Sequence, residues 1–394
     1  MLNRLRRWFR PDVSPPDKLA LVLSGGGARG AYQAGVLRYV AKRLPDLRFP
    51  LMTGVSAGAI NASFLANQAV PLTEAAERLA QLWSSIETDR VIDGEFNNMR
   101  LAWQIIRGRS QTDGPGFTGV FGTEPLRAFL RDALNCRAEE NGCRLAGVVE
   151  NIASGQLEAL AVTTVNYQTG QSITWVDGGP ESFQIRPNRR LRHAPITVDH
   201  IMASASLPFL FPAVQVGDHW YGDGGVRLAT PLSPAIHLGA TRLFVVSTRH
   251  NRTRTEADVP EVVGYPPPAQ VMGILMSAIF LDNLEQDALN LERINQLVRQ
   301  LPPDERNGLR EIDLYVIRPS VDLNALARQF EPEVEGEVGL FGRLLGTRKT
   351  STPRWLSMVL FEPSYIAEVM RIGELDAEAQ WEEIEGFLAA SPGV

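Results

Sequence analysis

Two side chains stand where their neighbours could make them reactive: Ser56 in Gly54-Val55-Ser56-Ala57-Gly58, and Asp223 in Asp223-Gly224-Gly225. Gly-x-Ser-x-Gly between a short apolar run and a helix-like segment is the setting of a nucleophile elbow, a strained strand-to-helix turn that pushes a serine hydroxyl outward. Gly54 and Gly58 are small because neighbouring backbone passes close to such a turn, and the dipole of the helix that follows favours developing negative charge at Ser56. A serine that attacks an ester also needs backbone N–H donors for the oxyanion, each worth about 3–4 kcal/mol of barrier. Gly25-Gly26-Gly27-Ala28-Arg29-Gly30, after the run LALVLS, is a loop stripped of side chains that can supply them. Gly25, Gly26 and Gly27 are its candidate donors, and Arg29 either fixes the loop or meets an anionic head group.

The serine needs a base. His193, His200, His219, His237 and His250 are the available histidines, and none sits in a recognisable loop pattern. Asp223, after a strand-like run, is the other candidate, although an Asp-Gly pair alone is a common turn. Two rival readings can be weighed on the same residues. Gly25, Gly27 and Gly30 also match a dinucleotide fingerprint, which calls for an acidic residue ending the second strand. Asp46 lies before that strand, and TGVSAG stands where the acid should be. A Ser-Asp-His hydrolase, in turn, normally places several strands before its nucleophile, whereas Ser56 follows two.

These residues must be positioned by regular elements. Leu19–Ser24 reads as a buried strand, Gly30–Leu44 as a helix, Phe49–Thr53 as a second strand and Ala57–Asn67 as a second helix. Leu157–Tyr167, Gln171–Val176 and Arg242–Thr248 read as strands, and Ala213–Val216 with His219–Tyr221 as a hairpin through Gly217-Asp218. Alternating strand and helix predicts a mainly parallel sheet with helices on both faces. Gly108–Gly122 is rich in glycine and expected to be a loop that could cover a site. After His250 the chain turns polar and proline-rich over Thr253–Pro268. A long helix is then expected over Met272–Leu301, with Leu284, Ala288, Leu291, Ile294 and Val298 as its apolar stripe, and one more strand over Ile312–Ile317. The expected division is a basic segment (1–18), a catalytic α/β unit (19–250) and a mostly helical extension (251–394).

A chain of 394 residues with 44% hydrophobic and 21% charged residues has the composition of a globular protein. Its formal net charge of −6 argues against nucleic acid as a partner. No apolar run reaches the roughly 18–20 residues that span a bilayer, and the longest, Gly273–Leu281, is expected to begin a buried helix. The basic start lacks the apolar stretch of a secretory signal, so a cytoplasmic protein is expected, peripheral at most to the inner face of a membrane. Cys136 and Cys143 have no zinc-ligand spacing and are expected to be reduced thiols. Met1–Arg10 puts Leu2, Leu5, Trp8 and Phe9 on one helical face among four arginines, the pattern of an interfacial anchor. Leu340, Phe341, Leu344 and Leu345 within Gly336–Gly346 form a second candidate for membrane contact.

Taken in order, GGGARG, GVSAG and DGG resemble the patatin-like phospholipase family, as does Ala203-Ser204-Ala205-Ser206-Leu207-Pro208-Phe209-Leu210-Phe211-Pro212 before the aspartate. The resemblance covers about Leu19–Gly239. It implies a three-layer α/β/α hydrolase core and a catalytic dyad of Ser56 and Asp223 with no catalytic histidine. It further implies an oxyanion loop at Gly25–Gly30, no metal and no cofactor. The expected activity is lipid acyl hydrolysis of phospholipase A or lysophospholipase type, with the same dyad also able to transfer an acyl group to another alcohol. A nucleotide-binding protein is the expectation from a different class.

Overall fold

The computed structural model describes residues 17–93, 119–136, 142–180, 187–228, 231–280, 283–306, 308–331, 339, 342–343 and 345–389. Among the described residues, strand pairing joins nine strands into one sheet. The strands are β1 (Leu19–Leu23), β2 (Leu51–Gly54), β3 (Ala159–Asn166), β4 (Ser172–Gly178), β5 (Arg189–His193), β6 (Val214–Val216), β7 (His219–Asp223), β8 (Arg242–Val246) and β9 (Asp313–Ile317). The order is β5-β4-β3-β2-β1-β8-β9, with β7 pairing both β3 and β6. The central strands β2, β1 and β8 run parallel to their neighbours, while β3 meets β4 and β7 antiparallel. The sheet is therefore mixed and mostly parallel, flanked by helices.

The helices are α1 (Ala31–Arg43), α2 (Ala57–Ala66), α3 (Leu72–Ser84), α4 (Glu124–Ala133), α5 (Ala146–Ala153), α6 (Val198–Ala205) and α7 (Ser233–His237). There follow α8 (Pro268–Phe280), α9 (Asn283–Gln300), α10 (Leu323–Phe330), α11 (Pro363–Ala379) and α12 (Trp381–Ala389), besides single turns such as Leu356–Val359. A strand covered on both faces reads as a continuous apolar run because both sets of alternating side chains are buried. LALVL of β1 shows this directly. Leu19, Leu21 and Leu23 join one core with residues of α1, α2 and α11. Ala20 and Val22 point the other way, into a second core with Ala235 of α7, the flanking Leu232 and Leu238, and Leu284 and Leu291 of α9. Two cores on opposite faces of one sheet make three layers.

Residues after 250 contribute to this core. β9 extends the sheet beside β8, with Val246 opposite Ile317. α11 lies against α1, close enough that a Cβ on Gly35 would meet the Met370 carbonyl oxygen at 2.0 Å. Val36, Leu37 and Val40 of α1 are fully buried, each worth about 1.5–3 kcal/mol relative to exposure.

Four expectations are corrected. The helix expected over Met272–Leu301 is two helices, α8 and α9. α8 is not buried on all sides: Gln270 and Ser277 face inward, while Val271, Ile274 and Leu275 face out, about half exposed. Ile294 leaves the stripe of α9 for solvent, and Asn295 takes the inward place because its side chain bonds both the N–H and the carbonyl of Ile312. Cys136 and Cys143 form a disulfide instead of standing as thiols. The end of α4 and the bridge between Arg144 and Thr197 bring their Cα atoms to 5.5 Å, within disulfide reach. Met1–Arg10, residues 108–118 of the glycine-rich loop, and Leu340, Phe341 and Leu344 lie outside the described residues. Leu345 is half-buried against the core. Among the described residues no helix is long and apolar enough to cross a membrane.

Candidate active site

Strand register brings the ends of β1, β2 and β8 to the same end of the sheet as Asp223. Leu23 of β1 stands opposite Gly54 of β2, and Gly54 opposite Val162 of β3. Just past these pairs, Gly25 comes against Ser56, and on β3 Thr164 faces Asp223 across the antiparallel β3–β7 pair. Leu23 also pairs with Val246 of β8, so Thr248 reaches the same edge.

Ser56 occupies the turn between β2 and α2 with φ 56° and ψ −131°, a strained conformation for a residue with a side chain. The turn is held from behind. The Ser56 N–H donates to Ser204 Oγ at 3.0 Å, and the Ser204 hydroxyl donates to the Thr163 carbonyl at 2.7 Å. Val55 donates its N–H to the Leu23 carbonyl, Gly58 donates to the Val55 carbonyl, and Ala57 begins α2. Gly54 and Gly58 pack backbone against backbone.

Asp223 ends β7 and is fully buried. Its N–H donates to the Ser206 carbonyl, and its Oδ1 accepts the Gly225 N–H at 2.8 Å as Gly224-Gly225 turn away. Oδ2 is buried without a hydrogen-bond partner. Burial pushes the carboxyl up to about 7, against the lowering influence of the Ser56 hydroxyl and the Gly225 N–H. The Ser56 hydroxyl thus lies near enough to lower the carboxyl's pKa, although Oδ2 makes no hydrogen bond. Tyr167 is pushed up to about 12 by burial first and by the charge of Asp223 second.

The glycine loop lies on the other side of Ser56. A Cβ on Gly25 would stand 3.0 Å from Ser56 Cβ. Gly27 has φ 58°, and its Cβ would meet the Met358 carbonyl oxygen at 1.9 Å. The loop's carbonyls are tied back: Ser24 O accepts from Gln33, Gly25 O from Thr248 Oγ1, Gly26 O from Arg29 and Gly30 O from Asn61. Ala28 is fully buried behind the turn. With its carbonyls held in this way, the N–H groups of Gly25, Gly26 and Gly27 have no hydrogen-bond partner among the described residues and can receive an anion. Arg29 is buried inside the protein, and burial lowers its pKa to about 10.

An apolar cavity of about 40 Å³ opens beside Ser56, lined among others by Ile60, Trp83, Leu130, Phe211 and Met358. A second, of about 20 Å³, lies between Gly25, Gly225, Ile279 and Leu284. A larger cavity, about 270 Å³ around Arg48, Phe49 and Gln68, is at the opposite edge of the sheet, where β2 begins. Among the described residues no cluster of three or more His, Cys, Asp or Glu side chains is arranged to hold a metal ion.

The histidines are engaged elsewhere. His219 bonds Gln168, His193 the Pro180 carbonyl, His237 Ser233 and His250 the Pro319 carbonyl. His200 bonds Thr197 and stacks edge-on against Trp175, and burial drives its pKa down to about 4. Sequence reasoning assigns no role to Ser204, Thr248, Asn61 or Met358. Ser204 falls within the noted Ala203–Pro212 stretch, but nothing local signals the other three.

The sequence model of the patatin-like phospholipase family matches residues 21–236, more than half of the chain. No curated protein matches it. Among solved structures, human GIVD cytosolic phospholipase A2 is similar with a TM-score of 0.47 at 13% identity, over 98% of this chain and 62% of that one. VipD from Legionella pneumophila has a TM-score of 0.37 at 14% identity, over 91% of this chain and 67% of that one. ExoU from Pseudomonas aeruginosa, in complex with SpcU, has a TM-score of 0.28 at 16% identity, over 94% of this chain and 78% of that one. The chain spans less than two thirds of the human enzyme's length.

Proposed function

Because the chain belongs to the patatin-like phospholipase family, we propose that it hydrolyses carboxylic esters of lipids through a Ser56 acyl-enzyme with Asp223 as base. Phospholipids and lysophospholipids are the leading substrates. The observation that carries this reading is that Gly25 stands against Ser56 on one side while the Ser56 hydroxyl lowers the pKa of the Asp223 carboxyl from the other.

The Asp223 carboxylate takes the Ser56 hydroxyl proton as Oγ attacks the acyl carbonyl. The oxyanion forms against the free N–H groups of the Gly25–Gly27 loop. Collapse breaks the ester bond, and the departing alcohol takes the proton from Asp223. Water then attacks the acyl-enzyme, giving its proton to Asp223, and Ser56 recovers that proton as the fatty acid leaves. A buried carboxyl with a pKa of about 7 suits this exchange, since a base works best near the operating pH. The apolar cavity beside Ser56 suits an acyl chain.

The outward face of α8 supports contact with a lipid surface. Its exposed Val271, Ile274 and Leu275 sit on a helix that packs over the Gly224–Val226 turn and carries Ile279 into the cavity wall beside Gly25. Phe209, 76% exposed, projects from the segment that supplies Phe211 to the acyl cavity.

The test is a panel of phospholipids, lysophospholipids, acylglycerols and p-nitrophenyl esters, with Ser56→Ala alongside. Fatty acid release by the wild type and not by Ser56→Ala is expected, together with fluorophosphonate labelling that Ser56→Ala abolishes. Release unchanged by Ser56→Ala sinks the assignment.

A further inference from the structure

Arg29 is buried beside the glycine loop and is anchored from a part of the chain that the family match does not reach. Its Nε donates to the Gly26 carbonyl at 3.3 Å, and its Nη1 donates to Asn324 Oδ1 at 3.2 Å, 295 residues away. Asn324 is itself held. Its N–H and its Nδ2 both donate to Asp322 Oδ1, at 2.8 and 2.6 Å, and its Oδ1 also accepts the Ser357 hydroxyl at 2.9 Å. Asp322 caps the N-terminus of α10. The next residue after Ser357 is Met358, whose carbonyl abuts Gly27.

We propose that Asn324 is a positioning residue for ester hydrolysis: through Arg29 it fixes the Gly26 carbonyl, and with it the direction of the loop N–H groups that face the oxyanion. The inference rests on the hydrolase reading above. A peptide plane is rigid, so holding the Gly26 carbonyl sets where the Gly27 N–H of the same plane points. Asn324 is suited to the task because its amide has an acceptor for the guanidinium and a donor for Asp322. Asp322, one side chain removed, supplies negative charge toward a buried cation that would otherwise be costly.

The effect belongs to the transition state, where the oxyanion exists, and not to substrate binding. On a soluble p-nitrophenyl ester Asn324→Ala should lower kcat by about 10- to 100-fold, the scale of a small displacement of catalytic groups, with KM within about twofold. The exchange Asp322→Asn with Asn324→Asp returns an acceptor to Arg29 and a donor to its neighbour, and should recover kcat to within about threefold of wild type. Thermal melting is read for every variant, and Asn324→Ser replaces Asn324→Ala if the latter does not fold. Asn324 variants that fold and keep kcat within about twofold overturn the proposal. So does a loss of kcat that the folded exchange variant fails to restore, or a loss carried by KM. In either case Ser56-dependent turnover by the wild type leaves the hydrolase reading standing, whereas a wild type without such turnover overturns both.

Discussion

Asp223 shows how a single residue carries a functional demand at a cost to stability. An aspartate in an unfolded chain titrates near 4, and burial moves this one to about 7. Between those values the folded chain keeps a proton that the unfolded chain has lost. Bound protons are then more numerous in the native state, so stability falls as pH rises from about 4 to about 7 and levels off above. Asp223→Asn keeps the shape and the acceptor for the Gly225 N–H but cannot ionise. It should melt above wild type at about pH 8, with the gap closing at about pH 4, and should lose about 10²–10⁴-fold in activity. Melting curves of both proteins at the two pH values decide the first point. A pH profile decides the second, because kcat/KM of the wild type should rise to a plateau with an apparent pKa of about 7. A limb near pH 4 would mean that the carboxyl is not raised. Ser204 offers a second case. Ser204→Ala leaves the Ser56 N–H buried without an acceptor, a cost of about 1–3 kcal/mol, and the melting temperature should drop as turnover falls by tenfold or more; unchanged melting and turnover would free the elbow from Ser204.

At the scale of elements, the glycine loop and α8 depend on sequence in opposite ways. The loop demands glycine locally: Gly27 combines φ 58° with a backbone oxygen where a Cβ would sit, so Gly27→Ala should cut turnover of a soluble ester by about 100-fold or more while the protein stays folded. Activity within about threefold of wild type would contradict that. Such demands are legible because they are written in the motif itself, as are β1 and β8, whose unbroken apolar runs follow from burial on both faces. The orientation of α8 is not legible, because an uncharged helix of 13 residues carries no mark of which side faces solvent. Val271, Ile274 and Leu275 face out while Ala269 and Met276 are buried and Gln270 bonds Glu261, an arrangement decided by tertiary packing. The same holds for Asn324, whose partner Arg29 lies 295 residues away, and for Cys136 and Cys143, which are close in sequence but are brought together where Arg144 bridges to Thr197. If the outward face meets lipid, Ile274→Glu with Leu275→Glu should weaken binding to phospholipid vesicles and slow hydrolysis of vesicle lipid, while turnover of a soluble ester persists. Vesicle sedimentation with and without the two changes measures this, and equal binding removes α8 from the lipid surface.

On the scale of the whole molecule, the question is whether residues after 250 are an addition to the α/β unit or part of it. Three contacts argue for a part. β9 covers the edge of β8, a strand buried along its whole length, and an uncovered apolar edge strand invites pairing with other chains. α11 closes on α1 at Gly35, and Gly373 lies against the Tyr32 carbonyl, where a Cβ would stand at 2.3 Å, so these helices meet at backbone distance and no other described element could take that place without rebuilding. Met358 and Asn324 reach the glycine loop from behind. Ending the chain after His250 therefore removes a strand, a helix face and the support of the glycine loop together. The shortened protein should be aggregated or expanded by size-exclusion chromatography, and its Ser56 should label with a fluorophosphonate far more slowly than in the full chain. Supplying residues 251–394 as a separate polypeptide during refolding should recover part of the labelling, because the contacts need the surfaces and not the connecting bond. A shortened chain that is monomeric, melts cooperatively and labels at the full-length rate would show instead that the catalytic unit stands alone and that the later residues serve another purpose.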